Sequence, residues 1–113
     1  MSVHVFCADP AGLLGEIKKA INSRSIVTWQ LDSDGDLSHS PPQWLNLAWM
    51  RPRTRPDRLT FSILGRKGSR MSRETYGVYH GRLIEMLLMH FDLKFSRACA
   101  SALGDETDVI VEP

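Results

Sequence analysis

The segment LTFSILGRKGSRMSRETYGVYHGRLIEMLLMHF, residues 59–91, contains the clearest strand pattern and the clearest helix pattern in the chain. Apolar and polar residues alternate over residues 59–64, which is typical of a strand with one buried face. Apolar residues then recur at helical spacing over residues 73–91, and Ser69 or Ser72 can cap this helix. The recurring positions are Tyr76, Tyr79, Leu83, Leu87 and Phe91. A strand followed by a long amphipathic helix predicts an α+β arrangement, in which the helix packs on a sheet.

The residues immediately upstream predict a β-hairpin. WLNLAWM, residues 44–50, alternates loosely, and we interpret it as a strand that pairs with residues 59–64. RPRTRPD, residues 51–57, contains two prolines, which favour a loop. The arginine-proline segment is therefore expected at the tip of the hairpin.

The N-terminal residues predict a strand followed by a helix. VHVFCA, residues 3–8, is apolar and β-branched, and it ends at Asp9-Pro10. Asp9 can cap a helix, and Pro10 suits the first turn because its missing N–H would have no partner there. Leu13, Ile17 and Ile21 then follow helical spacing.

Three further segments complete the prediction. IVTWQL, residues 26–31, indicates a strand, and Asp34-Gly35 favours a tight turn after it. SHSPPQ, residues 38–43, is expected to be irregular because of its paired prolines. KFSRACASAL, residues 94–103, predicts a strand, and DVIVE, residues 108–112, a short final strand.

Together the elements follow the order β-α-β-β-β-α-β-(β). We predict one globular domain over residues 1–113, built as a two-layer sandwich. Its mostly antiparallel sheet has four to six strands with two helices on one face, and its last few residues are loose. The other face of the sheet is expected to be polar. It would be open to water or covered by a partner, for example a second copy of the chain.

Composition favours a small cytoplasmic protein. The chain has 113 residues, of which 42% are hydrophobic and 24% charged, which is ordinary for a soluble domain with one core. Cys7 and Cys99 favour two small buried thiols in a reducing compartment. The first ten residues lack the basic and apolar regions of a secretion signal, and no apolar run is long enough to cross a bilayer.

Positive charge is concentrated in one part of the chain. Residues 51–73 contain eight Arg or Lys and one acid, a net charge of +7, whereas all other positions sum to −6. If residues 51–57 are a hairpin tip, the block forms two patches at opposite ends of a strand, roughly 20 Å apart. Arginine favours carboxylate and phosphate partners because its planar guanidinium presents several donors.

These patches predict a non-enzymatic binding protein, such as an inhibitor, an immunity-type protein or an adaptor, that contacts an acidic protein surface. Trp44 is the expected aromatic anchor. The expected contact residues in the basic block are Arg51, Arg53, Arg55, Arg58, Arg66, Lys67 and Arg70. A nucleic-acid-associated factor that contacts phosphates with the same arginines is the alternative, and it is disfavoured by the lack of interleaved aromatic residues. A third reading is that the arginines pair with the chain's own acids at 32–36 and 105–112.

The acidic segment 32–36 is the part of the sequence that suggests a metal-binding site. Asp32, Asp34 and Asp36 alternate like the first ligands of a calcium loop, and His39 could join them in a small metal-dependent enzyme. The glycine stands at the fourth place instead of the sixth, and Gln43 occupies the place of the bidentate glutamate. An exposed turn explains the acids more simply. No catalytic or phosphate-binding motif occurs, so we expect neither a cofactor nor catalysis.

Overall fold

The computed structural model of the chain describes residues 2–102, which form one six-stranded sheet and two helices. In chain order the elements are β1 (Ser2–Phe6), α1 (Pro10–Asn22), β2 (Trp29–Leu31), β3 (Leu37–His39), β4 (Ala48–Thr54), β5 (Arg58–Gly65), α2 (Arg73–Phe91) and β6 (Arg97–Ala100). The strand order in the sheet is β2-β3-β4-β5-β1-β6, and each neighbouring pair is antiparallel. The predicted α+β class is confirmed.

Both helices pack on the same face of the sheet. Strand alternation places one set of side chains toward the helices, and Val3, Phe61 and Met50 from three central strands are fully buried there. Ile17 of α1 and Leu83 of α2 belong to the same apolar cluster. The two-layer sandwich predicted from the sequence is therefore the observed architecture.

The predicted helix starts are confirmed. The Asp9 side chain accepts a hydrogen bond from the backbone N–H of Gly12 at 3.0 Å, and Pro10 stands in the first turn of α1. Ser72 caps α2 by accepting from the N–H of Thr75 at 3.0 Å. These contacts are local in sequence, so local residue preferences predict them well.

The predicted order of elements is wrong in one place, because four strands and not three lie between the helices. The additional strand is β3, in the segment expected to be irregular. It pairs with β2 across the predicted turn, where Gly35 has a φ of +82°. Pro41 and Pro42 lie just beyond its last residue, His39, so they end the strand and do not interrupt it.

The predicted boundaries of β4 are also wrong. The chain turns over residues 44–47, where Leu45 donates to the carbonyl of Pro41 and Asn46 has a φ of +61°. The strand then continues past the first proline of the expected loop, to Thr54, and Pro52 pairs with Phe61. Proline is tolerated here because the ladder between β3 and β4 pairs only Leu37 with Met50, so no strand on that side needs an N–H from Pro52.

The remaining differences concern strand ends and cysteines. β2 begins at residue 29 and β6 spans 97–100, so both are shorter than predicted. Residues 108–112 and the loose C-terminal end lie outside the described part of the chain. Cys7 and Cys99 are free thiols, but Cys7 is only half-buried and Cys99 is exposed. Neither α1 nor α2 combines the length and hydropathy that a membrane-spanning helix needs.

Candidate binding face

The face of the sheet that points away from the helices is the candidate functional surface, and we call it the outer face. Its side chains are those that alternate with the core residues of each strand. We consider the four strands β4, β5, β1 and β6. On these strands the outer-face residues are Trp49, Arg51 and Arg53 from β4, Arg58, Thr60, Ser62 and Leu64 from β5, Ser2, His4 and Phe6 from β1, and Arg97 and Cys99 from β6. The sequence predicted this face to be polar, and in the structure four arginines lie on it.

Cross-strand pairing brings arginines from three strands together on the outer face. Thr60 pairs with Arg53 of β4 on one side and with His4 of β1 on the other. In the next row Phe6 lies between Arg58 of β5 and Arg97 of β6. Adjacent rows on one face of a strand are roughly 7 Å apart, so the three guanidinium groups lie within reach of one extended ligand.

The aromatic ring of Phe6 holds two of these arginines in place. The guanidinium carbon of Arg97 lies 4.3 Å from the ring centroid, and that of Arg58 lies 5.8 Å from it. Such contacts are favourable because a cation is attracted to the negative face of an aromatic ring. Arg58 also donates to the carboxylate of Asp57 at 3.0 Å. The ring therefore positions two like charges that would otherwise repel each other.

Arg51 is paired within the chain, with one of the acids at 32–36 that the sequence offered as internal partners, and its role in partner binding stays a prediction. Its Nε and Nη2 atoms donate to the two carboxylate oxygens of Asp36 at 3.1 and 2.8 Å. The Asp36 side chain is only 5% exposed, and its hydrogen bonds raise the pKa of the Arg51 guanidinium. The acid is 15 residues away in sequence, but the β2–β3 hairpin folds it against β4. Arg51 therefore has a structural role that its neighbour Arg53 does not share.

The other predicted contact residues form two separate patches. Arg53 lies near the end of β4, and Arg55 lies in the turn between β4 and β5. Both are exposed. Arg66, Lys67 and Arg70 lie in the loop between β5 and α2, at the opposite end of β5. Within residues 2–102, no carboxylate lies within 4 Å of the cationic groups of these five residues. The two groups of cationic residues therefore lie at opposite ends of β5.

The second patch borders a small pocket at the start of α2. The pocket has a volume of about 230 Å³ and is lined by Arg66, Arg70, Ser69 and Thr75 among others. The Thr75 hydroxyl is buried but accepts from the hydroxyl of Ser72 at 2.9 Å. The hydroxyl groups of Ser72 and Thr75 are thus occupied by the helix cap.

The tryptophans occupy different places from those expected. Trp44 is half-buried and packs against the core, and its carbonyl accepts a hydrogen bond from the hydroxyl of Tyr79 at 2.5 Å. Trp49 lies on the outer face beside Leu64 and is half-buried. The interface role predicted for Trp44 remains a prediction, and Trp49 is the tryptophan that adjoins the arginine rows.

The acidic turn brings three carboxylates together, and two of them already have hydrogen-bond donors. The carboxylate oxygens of Asp32, Asp34 and Asp36 lie within 4.8 Å of one another. However, Oδ1 of Asp32 accepts the backbone N–H groups of Asp34 and Asp36, both at 2.9 Å, and both oxygens of Asp36 bind Arg51. A guanidinium thus supplies the positive charge that a divalent cation would bring.

His39 lies in the core and not beside these carboxylates. Its Nδ1 bonds to the carbonyl of Thr28 at 2.8 Å, and its ring packs against Trp29 and Tyr79 with centroid distances of 4.8 and 6.1 Å. Burial lowers the pKa of His39. The structure therefore does not bring together the residues of the metal-dependent enzyme considered from the sequence.

Arg97, Phe6, His4 and Thr60 are the outer-face residues that sequence reasoning did not select. Arg97 stands alone between Ser96 and Ala98, and nothing in its neighbourhood in sequence indicates a site. It reaches the basic block only because β6 pairs with β1 and β1 with β5. Because residues alternate between the two faces of a strand, a known strand order would have been enough to find the cluster.

The fold and the outer face define an α+β sandwich with a cationic sheet surface. No family model, curated protein or solved structure matches this chain.

Proposed function

We propose that this protein binds an acidic surface of another protein through its outer face and has no catalytic activity of its own. The observation that supports this most strongly is the convergence of Arg53, Arg58 and Arg97 from three strands on one surface. Asp57 is the one carboxylate that pairs with any of them among residues 2–102. Arg53 and Arg97, which have no carboxylate partner in that part of the chain, are well suited to receive carboxylates of another protein. Positive charge on the face also accelerates encounter with an oppositely charged partner.

Charge on the neighbouring turn favours a protein partner over a nucleic acid. Asp32 and Asp34 are exposed and lie beside Arg51, at the β4 side of the outer face. They would repel a phosphate backbone that extended across the face, whereas a protein can place a lysine or arginine opposite them. A partner with both acidic and basic groups matches this distribution of charge.

A nucleic acid that contacts the arginines through its phosphates is the second candidate, and half-buried Trp49 is the observation that favours it. An aromatic ring on a basic sheet can stack with an unpaired base. Phe6 is less suitable for stacking because the Arg97 guanidinium lies over its ring at 4.3 Å. One partly accessible ring is a weak stacking surface, which is why we place this candidate second.

Charge also argues against a second copy of the chain as the partner on this face. A two-fold interface places the same patch of both subunits in contact. The cationic patch of one subunit would then face the same cationic patch of the other, and like charges in contact are unfavourable. An inhibitor, an immunity-type protein or an adaptor fits the proposal better. A cytoplasmic location is part of it, because Cys7 and Cys99 are both free thiols.

The experiment compares a charge reversal on the outer face with a charge reversal elsewhere. Binding of fluorescent poly-L-glutamate is measured by anisotropy for the wild type, Arg53→Glu, Arg97→Glu and Lys19→Glu. Lys19 is exposed on α1, in the other layer of the sandwich, and so is the matched control. We expect each arginine reversal to weaken binding roughly tenfold, since it removes one attraction and adds one repulsion. The Lys19 reversal should change the Kd less than about twofold.

A parallel titration with single-stranded oligothymidine distinguishes the two candidates. We expect weaker binding to oligothymidine than to poly-L-glutamate at near-physiological salt. Tighter binding to the oligonucleotide, with an affinity that falls steeply as salt increases, would establish the nucleic-acid candidate instead. Equal poly-L-glutamate affinity for all four proteins would overturn the proposal that the outer face binds acidic partners.

A further inference from the structure

We infer that the exposed side of α2 is an interface for a second copy of this chain, with the two α2 helices packed antiparallel about a two-fold axis. This inference goes beyond the proposed function and does not depend on it, because α2 belongs to the helix layer and the outer face belongs to the sheet.

The first observation is apolar surface exposed on α2. Among residues 2–102 four large apolar side chains are exposed, and three of them lie in the second half of α2 or just beyond its end. They are Leu88, Met89 and Leu93. The opposite side of α2 already packs on the sheet, so these side chains are additional to the core. Apolar side chains that are exposed together are typical of an interaction surface.

The second observation is the order of side chains along this exposed side. One stripe contains Val78, Arg82, Glu85 and Met89, and we call it the α2 stripe. Its members are four, three and four residues apart, and residues at these spacings are neighbours on a helix surface. Val78 is half-buried and the other three are exposed. The stripe therefore has an apolar residue at each end and a positive and a negative charge between them.

The α2 stripe is complementary to a second copy of itself that runs in the opposite direction. In a two-fold interface, each contact between two different residues occurs twice. An axis at the midpoint of the stripe places Arg82 opposite the partner's Glu85, and Val78 opposite the partner's Met89. A parallel pair of helices would instead bring Arg82 close to the partner's Arg82, and like charges in contact are unfavourable.

The two charges of the stripe are available for such a contact. Arg82 donates to Glu85 of its own helix at 3.4 Å, and the two side chains are 54% and 55% exposed. A long ion pair in solvent contributes little to stability, so little is lost when each group turns to a partner. Because one segment supplies both halves of the contact, its charge favours a second copy of the chain as the occupant.

The expected dimer is weak. A single pair of helices buries less area than a standard protein interface. Glu74 and Asp92 are exposed on the same side of α2 and add repulsion near the ends of the contact. We therefore expect a Kd on the order of 10–100 µM. In this dimer the helix layers meet, so both outer faces point away from the interface.

The test exchanges the two charges of the stripe and measures the Kd of self-association by sedimentation velocity. Arg82→Glu and Glu85→Arg should each raise the Kd roughly tenfold or more, because each places two pairs of like charges in the interface. The double variant Arg82→Glu/Glu85→Arg should dimerise like the wild type, since opposite charges again face each other. An equimolar mixture of the two single variants should form a heterodimer. A pairing confined to one helix would not produce association between two chains.

A second pair of variants tests the apolar ends of the stripe. Met89→Gln should raise the Kd roughly fivefold, because it removes apolar contact at two places in the dimer. Val27→Gln is the matched control, since Val27 is 67% exposed outside α2 and Met89 is 70% exposed, and it should leave the Kd unchanged. A wild type that stays monomeric up to about 500 µM would overturn the inference and leave the proposed function standing. So would a dimer that Arg82→Glu and Glu85→Arg do not weaken.

Discussion

Arg51 and Arg53 provide a direct comparison between a structural arginine and a binding arginine. They lie on the same face of β4, two residues apart, but only Arg51 has an internal carboxylate partner within residues 2–102. Arg51→Ala removes two hydrogen bonds to the carboxylate of Asp36, which is 5% exposed. A buried carboxylate without its partner destabilises a protein strongly, but the Arg51 side chain is itself 41% exposed, so solvent screens the pair. We expect a loss of about 2 kcal/mol in the free energy of unfolding.

The assay is thermal and urea unfolding of Arg51→Ala and Arg53→Ala. For a domain of this size a loss of about 2 kcal/mol lowers the Tm by roughly 8 °C. Arg53→Ala should change the free energy of unfolding by less than about 0.5 kcal/mol, because Arg53 is exposed and makes no ion pair in the part of the chain from 2 to 102. Equal stability of the two variants would refute the assignment of different roles. The double variant Arg51→Ala/Asp36→Asn leaves no buried charge unpaired, so it should recover part of the free energy of unfolding that Arg51→Ala loses. A double variant as unstable as Arg51→Ala would also refute the assignment.

Two further predictions concern the buried polar cluster around Tyr79. Tyr79→Phe removes a hydroxyl that donates to the carbonyl of Trp44 at 2.5 Å and lies 3.1 Å from Oγ of Ser38 and 3.3 Å from the backbone nitrogen of His39. We expect a loss of about 2 kcal/mol in urea unfolding, because buried polar groups lose their partner, and a loss below about 0.5 kcal/mol would contradict this. Burial lowers the pKa of His39 in the folded state below its ordinary value of 6.5. As the pH falls below 6.5, the imidazole therefore takes up a proton more readily in the unfolded chain, and the folded state loses stability. His39→Asn should therefore show a smaller decrease in the free energy of unfolding between neutral and mildly acidic pH, and an unchanged pH dependence would show that His39 is not responsible.

Features that depend on neighbours in sequence were predictable. The strand over residues 59–64 and the capped helix over 73–91 follow from alternation, helical spacing and Ser72. The tight turn at Gly35 likewise follows from two adjacent residues. Each of these is decided by interactions within a few positions of the chain.

Features that depend on strand order were not predictable. Pro52 indicated a loop, and it is accommodated in β4 only because β3 is too short to pair beside it. The sequence offered the acids at 32–36 as internal partners of the arginines, but it did not decide that Arg51 is the one that pairs with Asp36. Arg97 joins Arg58 only through β1. Composition identified the excess of positive charge, whereas the pairing of strands decides which arginines are neutralised and which lie together.

The most direct test of the cationic outer face is a residue-by-residue map of amide chemical shifts during titration with poly-L-glutamate. We expect the largest changes at Arg53, Thr60 and Arg97, with smaller changes in the loop that contains Arg66 and Arg70. The same titration of Arg97→Glu should abolish the changes on β1 and β6. Changes confined to the 66–72 loop, or spread evenly over the helices, would show that the sheet face is not where an acidic partner binds.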